Sequence, residues 1–262
     1  MRLAFEKVHG LGNDFVLLDA RTGGSTCGPA EVRRLCDRRL GVGADGVLTL
    51  LPAGHPDAAA RLLVQNADGS EAELCGNGLR CAARVLLDES GEARVAIETA
   101  AGLLHCEASG EGIRAEIGRP VVGDPVELSF EGGRISGRPV SIGNPHFVVF
   151  GRADREAAAH LGPALENHAR FAPARTNVEL CERADGGLRV AVWERGCGLT
   201  PACGTGASAA VAAAAYEGLV TPGREITVEL PGGRLHVRIG PDGSATLRGP
   251  AVRVFTGRVD LP

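Results

Sequence analysis

The sequence predicts an α/β chain of the α+β type, built as two pseudo-symmetric domains. In each, a curved mixed sheet wraps around one central Ala-rich helix. Three observations predict this. Short segments recur in the same order along the chain, two matching Cys-Gly-x-Gly runs each open a helix-forming stretch, and strand-like alternation flanks both helices.

The recurrence comes first. Gly12-Asn13-Asp14-Phe15-Val16 returns as Gly143-Asn144-Pro145-His146-Phe147-Val148, and Cys75-Gly76-Asn77-Gly78 returns as Cys203-Gly204-Thr205-Gly206. Ile97-Glu98 through Leu104-His105 is echoed by Val228-Glu229 through Leu235-His236, and Gly118-Arg119-Pro120 by Arg248-Gly249-Pro250. The offsets stay between 128 and 132 residues and keep the same order, so the four matches imply duplication. The domains are expected at 1–118 and 119–249, with the last strand, about 250–262, returning to the first. The active site is expected in the cleft between them.

Strand patterns are read near residues 3–9, 14–19, 46–51 and 61–66, followed by a helix over 76–88 and strands near 93–99, 102–108 and 112–118. The second half repeats this with strands near 140–150, 176–182 and 188–194, a helix over 204–217 and three more strands. A further helix is expected over 29–40, with Pro29 in its first turn and Gly41 as its stop signal.

At 262 residues the chain can bury a substantial core, and a net charge of −4 with few aromatics offers no footprint for nucleic acid or a membrane. No apolar N-terminal stretch with a small-residue cleavage site is present, and the longest apolar run, Ala207–Tyr216, is too short to span a bilayer. A cytoplasmic location with reduced thiols is therefore expected. None of the eight cysteines has C-x-x-C spacing, so no metal site is expected.

Cys75 and Cys203 carry the chemistry. Each directly precedes Gly-x-Gly at a helix start, where unpartnered backbone N–H groups and the positive end of the helix dipole favour a thiolate. The same N–H groups can hold a carboxylate, and the glycines allow it to come close. Two such helices sharing one carboxylate would set one thiol on each face of the adjacent carbon. One thiolate then removes the α-proton and the opposite thiol returns a proton to the other face. A general base supplies roughly 10²–10⁴-fold, so donors at the carboxylate must carry much of the load, at about 3 kcal/mol each. No pyridoxal-phosphate signature is readable, and no cofactor is expected.

Asn66-Ala67-Asp68-Gly69-Ser70, then four residues, then Cys75-Gly76-Asn77-Gly78-Leu79-Arg80 resembles the signature of the diaminopimelate epimerase family. Glu194-Arg195-Gly196 followed by Ala202-Cys203-Gly204-Thr205-Gly206 resembles its second signature, and Gly143-Asn144-Pro145-His146 and Thr176-Asn177-Val178 match further motifs. The resemblance implies interconversion of LL- and meso-2,6-diaminopimelate, within lysine and cell-wall precursor biosynthesis, by a homodimer. It implies that Asn13, Asn66, Asn144, Asn177 and Arg195 line the substrate site. Arg195 and the asparagines would grip the distal carboxylate, Arg195 through its bidentate fork. It further implies that Glu194 binds the distal ammonium, that His146 supports catalysis near the cysteines, and that the backbones of Gly76, Asn77, Gly204 and Thr205 hold the reacting carboxylate. The repeat supports part of this independently, because Asn66 and Glu194 each lie nine residues before their cysteine.

The chain departs from the family pattern at Gly46, where many members carry Gln, and Cys197 is a third thiol of unassigned role. Gly41-Val42-Gly43-Ala44-Asp45-Gly46 matches G-x-G-x-x-G, but a helix precedes it and a strand follows, the reverse of a dinucleotide site. Two alternatives stay open. A related racemase of another polar amino acid would share the scaffold, although proline-racemase-like enzymes carry His where this chain has Asn77. A thiol redox protein would use Cys75 and Cys203 as a reversible disulfide.

Overall fold

A computed structural model describes residues 2–24, 26–110 and 112–261, which form two compact units: residues up to 116 together with 249 onward, and residues 117–248. In the first unit the order is β1 (Arg2–Gly10), β2 (Asn13–Asp19), α1 (Pro29–Cys36), β3 (Gly46–Leu51), β4 (Ala60–Asn66), α2 (Gly76–Ser90), β5 (Arg94–Thr99), β6 (Gly102–Ser109) and β7 (Gly112–Glu116). The second unit contains β8 (Val121–Val122), β9 (Val126–Phe130), β10 (Gly133–Ser141), β11 (Pro145–Phe150), α3 (Arg155–Glu166), β12 (Asn177–Ala184), β13 (Gly187–Glu194), β14 (Gly198–Leu199), α4 (Gly204–Tyr216), β15 (Glu225–Leu230), β16 (Gly233–Ile239) and β17 (Ala245–Gly249). The final strand, β18 (Val252–Asp260), pairs antiparallel with β1 in the first unit.

The two units repeat one pairing scheme. From β1 to β7 the neighbours run antiparallel, parallel, antiparallel, parallel, then antiparallel twice. From β10 through β11, β12, β13, β15 and β16 to β17 the same succession appears. Each parallel pair needs a crossover. In the first unit α1 and α2 lie in these crossovers, and in the second α3 and α4 do.

The central helix α4 is buried because its sequence leaves no polar face. α4 reads GTGASAAVAAAAY and buries every residue through Ala214, so neighbouring strands surround it. Its alanines let β10, β11, β12 and β16 approach closely while still forming a good helix. α2 ends where Gly91 takes a left-handed φ of 72°, its N–H bonding the Leu87 carbonyl.

Two expectations are corrected, and one helix is added. The helix expected over 29–40 stops at Cys36, because the Asp37 carboxylate accepts the N–H groups of Arg39 and Leu40 and folds the chain into a turn. The strand expected over 140–150 is two strands joined at Gly143, whose φ is 82°, and β10 extends back to Gly133. The helix α3 was not anticipated; Asp154 caps it by accepting the Ala157 N–H at 2.8 Å.

Candidate active site

Cys75 and Cys203 are N-cap residues of α2 and α4, with φ/ψ of −128°/106° and −119°/118°. Each Sγ accepts the backbone N–H three residues on, Gly78 and Gly206 respectively, at 3.3 Å. Space is tight at both glycines. A Cβ at Gly206 would stand 2.7 Å from Glu179 Oε1, and one at Gly78 2.8 Å from a Leu48 methyl. The N-terminal turns of both helices, at Gly76 and Gly204, present the positive end of a helix dipole, which favours an anion.

In the second unit the surroundings of the cysteine are acidic. His146 Nδ1 meets Glu179 Oε1 at 2.7 Å and its Nε2 meets Asn144 Oδ1 at 3.0 Å. Asn144 Nδ2 donates to Thr205 Oγ1 at 3.3 Å, and that hydroxyl lies 3.4 Å from Cys203 Sγ. One relay therefore runs from Glu179 through His146, Asn144 and Thr205 to the thiol. Glu194, half-buried, accepts from Thr200 at 2.5 Å and also bonds Cys203. Burial pushes the Glu194 carboxyl up from its usual range, and the Glu179 charge adds to that.

The expectation that both helix ends favour a thiolate fails at Cys203. Burial raises its pKa well above the ordinary thiol value, and Glu194 and Glu179 raise it further against the Thr205 hydroxyl and Gly206 N–H. Desolvation and two carboxylates outweigh the helix terminus here.

Asn177 and His146 are partners across the parallel β11–β12 ladder. Asn177 Nδ2 donates to the Pro145 carbonyl at 2.8 Å, and its Oδ1 accepts the Arg195 N–H at 3.0 Å. Asn177 thus anchors the turn after β13 that presents Glu194 and Arg195. Arg195 Nη1 donates to the Ala174 carbonyl at 2.9 Å. Glu166 fixes the same turn from α3, accepting from Gly196 N–H at 3.0 Å and from Trp193 Nε1 and Arg175 at 2.7 Å.

The first unit is built on amides and an arginine. Asn77 Nδ2 donates to Asn13 Oδ1 at 3.1 Å, and Asn13 Nδ2 donates to Asp45 at 2.9 Å. Arg80 donates to Asn77 Oδ1 at 2.8 Å and to the Gly76 carbonyl at 3.1 Å. Asn66 stands apart from this chain, donating to Ser70 Oγ at 3.0 Å while Ser70 bonds Asp68. Gly46 pairs with Asn66 at the start of β3, where a Cβ would lie 2.5 Å from the Gln65 carbonyl. This backbone has no room for a side chain there. The G-x-G-x-x-G run follows α1 and precedes β3, as its order in the sequence requires.

Glu179, Glu166, Asp45 and Thr200 escaped the sequence reading. Glu179 left a readable signal, an acid inside the apolar run Val178-Glu179-Leu180-Cys181. Among the described residues, no group of three or more His, Cys, Asp and Glu side chains could hold a metal ion, and no helix is long and apolar enough to cross a membrane.

The diaminopimelate epimerase family model matches residues 5–122 and 139–260. The chain belongs to the diaminopimelate epimerase family. It is accordingly an isomerase of the epimerase type. A diaminopimelate epimerase from Synechococcus elongatus is 43% identical over 100% of this chain and 99% of its own length. One from Azotobacter vinelandii is 40% identical, with both chains covered in full. Among solved structures, a hydroxyproline epimerase from Agrobacterium vitis superposes with a TM-score of 0.75 at 21% identity, over 98% of this chain and 92% of that one. A phenazine biosynthesis family protein from Bacillus anthracis gives 0.76 at 19% identity, with both chains covered in full. These two share the family's fold.

Proposed function

We propose that the protein interconverts LL- and meso-2,6-diaminopimelate without a cofactor, using Cys75 and Cys203 as a thiolate/thiol pair on opposite faces of one α-carbon. The observation that carries this reading is the matched capping of α2 and α4. Two cysteines in equivalent repeats take the same N-cap geometry and the same 3.3 Å bond from the third N–H of their helix. Each helix turns the positive end of its dipole toward the α-carboxylate, which stabilises negative charge developing beside the carbon.

The proton count closes simply. The thiolate takes the α-proton and becomes a thiol, the C–H electron pair stays on the substrate as carbanion character spread into the carboxylate, and the opposite thiol protonates the carbon and becomes a thiolate. The two sulfurs exchange roles with no change in total charge. Glu194 receives the distal ammonium, Arg195 with Asn66 and Asn177 receives the distal carboxylate, and Asn13 and Asn144 order the loops beside the cysteines. His146, held at both nitrogens, supports Thr205 and Cys203. A cytoplasmic homodimer serving lysine and cell-wall precursor synthesis completes the proposal.

Incubating the protein with LL-diaminopimelate in D₂O, with no added cofactor, tests it. The α-proton signal should fade as meso product appears. Equal turnover of alanine or lysine would replace diaminopimelate with another amino acid, and an unchanged α-proton signal would end the epimerase reading.

A further inference from the structure

α2 and α4 differ at one position in a way the thiol chemistry would feel. Arg80 in α2 and Ser208 in α4 are equivalent, five residues after their cysteines, and each donates to the carbonyl of the glycine four residues back, Gly76 at 3.1 Å and Gly204 at 2.9 Å. Both are sealed from solvent. A hydroxyl satisfies itself on a helix carbonyl. A guanidinium brings a full positive charge into the same interior.

Among the described residues, Arg80 has no carboxylate partner there. Its hydrogen bonds go to Gly76 O and Asn77 Oδ1, and its Nε is buried without an acceptor. Its packing is tight, since a Cβ on Gly10 would stand 3.0 Å from Nη2. A buried cation without a counter-ion is strongly destabilising, so an anion nearby is favoured. The ionisable groups that act on it are the thiols of Cys81, Cys75 and Cys106. Burial pushes Cys81 and Cys106 up to about 12, which keeps both as neutral thiols. Other charged groups around α2 are engaged elsewhere: Lys7 and Arg38 hold Asp14, Arg38 also holds Asp45, His9 Nδ1 accepts the Gly12 N–H, Glu116 meets His105, and Arg253 holds Glu6 and Asp88.

We propose that Arg80 is a positioning residue that holds Cys75 as the thiolate in the resting enzyme, while Cys203, with Ser208 in the equivalent place and Glu194 and Glu179 beside it, rests as the thiol. The inference rests on the two-cysteine reading and deepens it. The free protein is biased so that Cys75 is the first base and Cys203 the first acid. Turnover from the other stereoisomer must begin from the less populated arrangement.

The test titrates thiols in reduced, substrate-free protein, so it is independent of which amino acid is turned over. Iodoacetamide labelling at Cys75, Cys203 and Cys197 is followed by site-resolved mass spectrometry across pH, reading midpoints rather than absolute rates. In the native protein Cys75 should titrate about one pH unit or more below the usual thiol value of roughly 8.5, and below Cys203. Arg80→Gln should raise the Cys75 midpoint by about one unit, slowing its labelling near neutrality roughly tenfold, with Cys197 unmoved. Arg80→Lys, which keeps the charge, should stay close to the native midpoint. A Cys75 midpoint at or above that of Cys203 in the native protein overturns the proposal. So does an Arg80→Gln curve that does not move, or an Arg80→Lys shift as large as that of Gln, which would mark a purely structural arginine. If Arg80→Gln does not fold, the native comparison and Arg80→Lys decide the matter. Loss of deuterium exchange with a low Cys75 midpoint would count against the epimerase reading alone.

Discussion

His146 Nδ1 lies 2.7 Å from Glu179 Oε1, and neither side chain has any exposed surface. A carboxylate buried beside an imidazole is costly unless the pair is kept intact. It also projects negative charge onto Cys203, one of the causes that raise that thiol. Glu179→Gln preserves shape and removes the charge. Inversion should slow at least roughly tenfold, about 1.4 kcal/mol in the barrier, as the relay to Thr205 loses its anchor. The Cys203 labelling midpoint should fall. An unchanged midpoint would mean that Glu179 does not act on the thiol.

The two cap glycines should differ in tolerance. A methyl at Gly206 meets the Glu179 carboxylate at 2.7 Å, whereas at Gly78 it meets the end of the Leu48 side chain at 2.8 Å, which can rotate away. Gly206→Ala should therefore lose about tenfold more activity than Gly78→Ala, a difference near 1.4 kcal/mol. Steady-state kinetics of both variants checks this, and equal losses would contradict it.

Glu166 holds the turn that carries Arg195. Glu166→Ala leaves the Trp193 indole N–H and the Gly196 N–H without their acceptor, at about 1–3 kcal/mol for each buried group. Melting should drop by roughly 5–10 °C. Because Glu166 fixes the Arg195 turn and has no bond to either cysteine, KM should rise more than kcat falls. A lower kcat at unchanged KM would place its effect on the reacting carbon instead.

The buried thiols also set an alkaline limit. Burial pushes Cys27 and Cys36 up to about 11, and Cys81, Cys106 and Cys181 up to about 12, above the ordinary thiol range. Above pH 9 the unfolded chain releases these protons while the folded chain keeps them, so the folded state binds more protons and stability falls as pH rises. Each such thiol costs about 1.4 kcal/mol per pH unit over that window. Melting temperature should decline from pH 9 toward pH 11, and Cys81→Ala should flatten the slope. A flat profile would show that the thiols ionise in place.

Much of this was legible because the chain repeats itself. The Cys-Gly-x-Gly runs located both N-caps, and the alternation around them located the strands that surround α2 and α4. The same duplication also implies a helix in the second repeat. α1 occupies the crossover between β2 and β3, so a helix was due between β11 and β12, where α3 lies behind its Asp154 cap. The β9–β10 hairpin hid because its strands carry exposed polar residues and lack a clean alternation. The charge around each sulfur was not legible. It depends on Glu179 and Glu194 from β12 and β13 at Cys203, and on an arginine of α2 itself at Cys75, and a motif does not reveal which partners share a residue's interior.

The most direct test of two opposed thiols is the stereochemistry of the single-cysteine variants. In D₂O the native enzyme should place solvent deuterium in product while unreacted substrate stays protiated early on, since each sulfur serves one face. Cys75→Ala and Cys203→Ala should each abolish inversion. Cys75→Ser and Cys203→Ser should still eliminate from a β-halogenated analogue, which needs one base, and each should accept only the stereoisomer facing its remaining thiol. Opposite preferences in the two serine variants are the predicted result; the same preference in both, or substantial epimerisation by either alanine variant, would contradict one cysteine per face.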